Sequence, residues 1–169
     1  MNSLKNLFFA LIVSLVLPQI LTAQHHQEGG MAKHKTQAVV HYDASEIFQN
    51  QLKGVFEAYI DLKDALVASD AEQAAAKAKM VATQLQKVDD AGLDDDAKKA
   101  WEKWSATINE ELAKILSNED IKAQRMAFSD ISDAMYHSVK SFGLKDLDAY
   151  HQFCPMANNG EGAHWMSED

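Results

Sequence analysis

From Asp43 onward the apolar residues recur at three- and four-residue steps, the period of helices that bury one face. Ser45 is placed to cap a first helix whose stripe runs through Ile47, Leu52, Val55, Phe56, Tyr59, Leu62 and Leu66. Ser69 and Asp70 break the pattern and start a second, alanine-rich helix carrying Ala74, Ala78, Val81, Leu85 and Val88, which Gly92 is expected to stop. Asp94, Asp95 and Asp96 put negative charge at the positive end of a third helix, with the stripe Trp101, Trp104, Ile108, Leu112 and Ile115. A fourth helix starts between Asn118 and Asp120 and carries Ile121, Phe128, Ile131, Met135, Val139 and Phe142 up to Gly143.

Short connections between such helices imply antiparallel neighbours, so the expected fold is all-α, an up-down antiparallel four-helix bundle over residues 43–169. No strand-like alternation of useful length competes with it.

The chain begins differently. Met1 to Ala23 has Lys5 in a short charged region, an apolar run from Leu7 to Leu17 and the breaker Pro18, the layout of a signal peptide cleaved after Ala23. The apolar run is too short for a retained membrane anchor, which points to a periplasmic or secreted protein that does not span the membrane once processed. Residues 24–42 are polar, with His25, His26, His34 and His41, and are expected to form a flexible tail. A terminus reading Gln24-His25-His26 would also offer an amine, two amides and an imidazole to Cu(II) or Ni(II).

A formal net charge of −9 argues against nucleic acid as a partner and for access by cations. One cysteine excludes an intrachain disulfide. No glycine-rich phosphate loop, HExxH, nucleophile elbow or haem-attachment motif occurs, and the paired acids Asp89-Asp90 and Glu110-Glu111 sit where capping and solvation explain them. An enzyme is therefore not expected. Trp101 and Trp104 read as core, and His137 reads as a partly buried polar residue rather than a ligand.

Chemistry gathers at the end of the chain, where Cys154 lies among His151, Met156, His164 and Met166. Thiolate, thioether and imidazole suit Cu(I), and cysteine with histidine would also serve zinc. A helical turn would bring His151 and Cys154 to one side, Pro155 would make the chain leave it in an extended Cys-Pro-Met step, and Gly160 and Gly162 could return His164 and Met166 toward them. The competing reading is a tail that packs Phe153, Met156, Trp165 and Met166 on the bundle, with Cys154 as a small hydrophobe.

The block Leu52 to Asp70, with Tyr59-Ile60-Asp61-Leu62-Lys63-Asp64, and the segment Tyr150 to Ser167, with Cys154-Pro155-Met156-Ala157 and Gly162-Ala163-His164-Trp165-Met166, resemble the DUF3347 family of exported bacterial proteins. The resemblance implies an α-helical domain found alone or joined to periplasmic adaptors of heavy-metal efflux systems. It implies copper or a related metal as ligand, Cys154 and Met156 as binding residues and an efflux adaptor as partner. The chain departs from the family pattern at His164, where an aromatic is usual, and at Met166, where leucine is usual. It also ends at Asp169, before the family's later Asn-Pro-Tyr, Met and Cys-Gly residues. The expected function is soft-metal sequestration or hand-over to an efflux system; the alternative is a helical interaction module in which the Cys-Pro-Met loop is structural.

Overall fold

A computed structural model describes residues 39–168. The expected signal peptide at 1–23, the Gln24-His25-His26 arrangement and most of the expected histidine tail lie outside the described residues. Four helices, α1 (Glu46–Val67), α2 (Ala71–Leu85), α3 (Asp95–Leu116) and α4 (Ile121–Phe142), are followed by strands β1 (Tyr150–Cys154) and β2 (Ala163–Ser167). Each helix packs against the next, and α1 and α4 also meet.

The helix starts are where their side chains say. Ser45 Oγ accepts from Phe48 N at 3.2 Å and Asp70 Oδ1 from Gln73 N at 2.9 Å. Asp94 accepts from Asp96 N and Ala97 N at 3.0 and 2.8 Å, and Asp120 from Lys122 N and Ala123 N at 3.2 and 3.3 Å. Each cap satisfies amide donors that a helix cannot satisfy itself and sets a carboxylate or hydroxyl oxygen against the positive end of the dipole. Ser69, in the left-handed region at φ 59°, turns the chain out of α1, and Gly143, at φ 75°, ends α4.

Two expectations about the helices need correction. Helix α2 ends at Leu85, well before Gly92. Lys87 N and Val88 N bond the carbonyls of Gln84 and Leu85 three residues back, which tightens the last turn, and Asp89 N then turns away to the side-chain oxygen of Gln51 at 2.9 Å. Ile47 is 68% exposed and Phe48 takes its place in the core, since the capped first turn directs position 48 inward. The other large stripe residues of α1, and Ala74, Ala78, Val81, Leu85, Trp101, Ile108, Leu112, Ile115, Phe128, Ile131, Met135, Val139 and Phe142, are buried together.

Aromatic rings close one end of this core. Phe142 lies 4.8 Å from the Phe48 ring, with Trp101 and Trp104 edge-on at 6.3 and 5.9 Å. Tyr42 joins them at 5.5 Å and donates its backbone N–H to Ser141 O at 2.9 Å, so the fold begins a residue before Asp43. At the other end, Gln124 Nε2, almost wholly buried, donates to Ala71 O, Ile115 O and Asn118 O at 3.1, 3.4 and 2.8 Å. One amide thereby joins the start of α2, the end of α3 and the start of α4.

The C-terminal residues are a β-hairpin, not the strandless loop expected. Its attachment is a buried relay with a fixed direction. Met166 N donates to Tyr59 Oη at 3.0 Å, and Ser132 Oγ donates to Phe128 O at 2.9 Å. The 2.8 Å contact between Tyr59 Oη and Ser132 Oγ therefore has tyrosine as donor, because the serine proton is already used. Burial pushes the Tyr59 phenol up to about 12, so it stays protonated in this relay.

Tyr59→Phe keeps the ring and strands the Met166 amide. We expect a loss of about 1–3 kcal/mol in urea unfolding, with amide exchange accelerating at Met166 and its strand before it does in α1 or α4.

Candidate metal site

Strands β1 and β2 pair antiparallel, His151 opposite Met166, Phe153 opposite His164 and Cys154 opposite Ala163. The expected helical turn at 151–154 does not form. The backbone groups of this segment are used across the hairpin, and Tyr150 and Phe153 favour the pleated surface. In a strand, residues three apart face opposite ways. His151 and Cys154 are thus on opposite faces, and His151 shares its face with Phe153, His164 and Met166.

The turn between the strands is built by residues that accept unusual backbone angles. Ala157 N bonds Cys154 O at 3.4 Å across Pro155 and Met156, and Gly162 N returns to Ala157 O at 3.0 Å. Asn158, Asn159, Gly160 and Gly162 take φ of 50°, 60°, 93° and 85°, which glycine and asparagine tolerate. A Cβ on Gly162 would stand 2.7 Å from the Phe153 ring, so this glycine also makes room for that side chain.

Along the His151 face the rings form a ladder that starts on α4. Tyr136 stacks on His151 at 4.1 Å, His151 on His164 at 4.6 Å, and His164 meets Phe153 at 4.6 Å. His137, set aside as a candidate ligand, stacks on Trp104 at 5.8 Å and lies edge-on to Tyr136 at 5.4 Å. Desolvation in the stack holds the His151 imidazole below its ordinary 6.5, and the neighbouring His164 adds to the effect.

The residues chosen from sequence therefore fall into separate groups. Cys154, partly exposed, and Met156, 80% exposed, share the turn. His151 and His164 stack on each other away from the Cys154 face. Met166 is 1% exposed, its side chain part of the core. Among the described residues no three histidine, cysteine, aspartate or glutamate side chains form a group able to hold a metal ion. What the geometry offers a soft ion is a thiol and a thioether in one open turn. The sequence reading placed Phe153 only in the competing packed tail and gave Tyr136, on α4, no role; their place in one ladder follows from the hairpin pairing and its contact with α4.

The family model described as "Protein of unknown function (DUF3347)" matches residues 55–146. The chain belongs to the DUF3347 family. No curated protein and no solved structure matches it. The matched stretch of this DUF3347 chain holds most of α1, all of α2 to α4, and the relay residues Tyr59, Phe128 and Ser132, and it ends before the hairpin.

The His151 stack has a measurable consequence. In an NMR titration the His151 ring should lose its proton only when the pH is raised from a point below 6.5, and His164→Ala should move its midpoint upward. Because the folded value lies below the unfolded one, the stability contributed by the neutral ring is present above about 6.5 and is lost as the pH falls through the folded value. A midpoint at or above 6.5 would contradict the desolvated stack.

Proposed function

We propose that this protein is an exported carrier of a soft metal ion, Cu(I) in preference to zinc, and not an enzyme. The observation that carries the reading is the Cys-Pro-Met turn. Its cysteine is partly exposed, its methionine is 80% exposed, and Pro155 between them is barred from continuing a helix. Thiolate and thioether select Cu(I), whose filled d shell imposes no strict geometry, so a site with few protein donors suits it.

In this reading Cys154 and Met156 are the primary ligands. His151, His164 and Met166 would complete the shell only if the hairpin rearranged, because the imidazoles are stacked on Tyr136 and Met166 is held in the core. An incomplete shell favours exchange, since a partner can displace the weak thioether while the ion stays on the thiolate. Sequestration in the periplasm, or outside the cell, and hand-over to an efflux adaptor are the roles such a site serves.

The scaffold fits an up-down antiparallel bundle. Gln49 at the start of α1 donates to Phe142 O at the end of α4 at 2.8 Å, and Arg125 near the start of α4 reaches Leu66 O near the end of α1 at 2.6 Å. Among the described residues no helix is long and apolar enough to cross a membrane.

A second reading has its own support. Phe153 near the end of β1 and Met156 in the turn are 56% and 80% exposed, an apolar tip suited to docking on a protein partner without metal.

Competition for Cu(I) against a chromophoric chelator under reducing conditions separates the two. Cys154→Ser should abolish most of the affinity with helix content unchanged, because a hydroxyl is a poor soft-metal ligand. Met156→Leu should weaken binding and change stability by less than about 0.5 kcal/mol, since the side chain is 80% exposed. Equal Cu(I) affinity in all three proteins would favour the docking reading.

A further inference from the structure

Between the end of α1, the first turns of α4 and the hairpin lies a groove of about 630 Å³, within the roughly 300–1,000 Å³ typical of small-ligand sites. Val67, Met126, Phe128 and Trp165 line it. Val67 and Met126 are 75% and 61% exposed, so two large apolar side chains open to water share one concavity. Covering them removes apolar surface from water.

The same groove gathers positive charge in a chain whose formal net charge is −9. Lys63, Lys122 and Arg125 line it, against the single carboxylate of Asp64. Lys63 stands 3.5 Å from Asp64, whereas Lys122 enters no ion pair among the described residues. Arg125, the chain's one arginine, points Nε and Nη2 at the Leu66 carbonyl and the Ser69 hydroxyl. Those acceptors are neutral, so they orient the guanidinium without cancelling its charge. Acidic residues elsewhere repel anions, which leaves this groove as a distinct place for one.

We infer that the groove binds a single-chain amphiphilic anion, with its apolar body against Val67, Met126, Phe128 and Trp165 and its anionic head facing Lys122 and Arg125. Neither half is sufficient alone. An exposed lysine holds an inorganic anion weakly in water, and the apolar wall has no means of orienting a neutral chain. Cys154 and Met156, the primary ligands of the soft-metal reading, do not line the groove, whereas His164 does, so the two sites are separated by substituting the thiol.

The test is calorimetry and amide NMR on the full chain titrated with laurate below its micelle concentration. Saturable binding of one laurate is expected, with shifts at Val67, Met126 and the Trp165 indole. Dodecanol and inorganic phosphate should each bind at least about tenfold more weakly, and Lys122→Glu and Val67→Asp, both at exposed positions, should each weaken laurate about tenfold with helix content retained. Cys154→Ser should bind laurate like the unaltered protein. Dodecanol binding as tightly as laurate, shifts on other faces, or unchanged affinity in both groove variants would overturn the proposal.

Discussion

The phenol of Tyr59 is the contact on which the architecture turns. It is fully buried in α1, accepts from the backbone of β2 and donates to Ser132 of α4, whose own proton goes to Phe128 O. Every member of the chain is satisfied in one direction only, so the relay has no second arrangement of equal energy. A two-stranded hairpin is marginal by itself in water. Here a buried hydrogen bond to the helices and its most deeply buried apolar side chain both fall on Met166, beside the Tyr136–His151 stack on α4.

Polar side chains do comparable work at the ends of the helices. Asp70, Asp94 and Asp120 satisfy the first amides of α2, α3 and α4, and Gln124 and Arg125, adjacent on α4, take up carbonyls where α1 and α3 end and where α2 begins. The apolar stripes supply most of the driving force but are poor at choosing between similar packings. The buried Gln124 amide and the Arg125 guanidinium choose, because a shift by one turn would leave several of their partners without hydrogen bonds.

This division of labour separates scaffold from chemistry. The helices bury their functional groups, while the hairpin carries the thiol and thioether outward on a turn that Pro155, Asn158, Asn159, Gly160 and Gly162 make possible. The matched family stretch, 55–146, contains the phenol that anchors the hairpin but not the hairpin. Laid against α1 and α4, the hairpin also creates the cationic apolar groove, which none of the three elements forms alone.

Local chemistry was legible residue by residue. Ser45, Asp70, Asp94 and Gly143 marked helix ends, and the three- and four-residue spacing marked nearly all of the core, because caps and amphipathic faces are properties of short windows. The early end of α2 was not, since it depends on Gln51 of another helix reaching Asp89 N. Nor was the hairpin. Five-residue strands give too short an alternation to read, and their pairing rests on Tyr59, 107 positions before Met166. The gathering of Cys154, Met156, Met166, His151 and His164 near the C-terminus was visible in the order of the residues. Their division into an exposed Cys154–Met156 turn, a stacked His151–His164 pair and a buried Met166 was decided only by the tertiary structure, because a period of two instead of three and a half sends neighbouring donors to opposite faces.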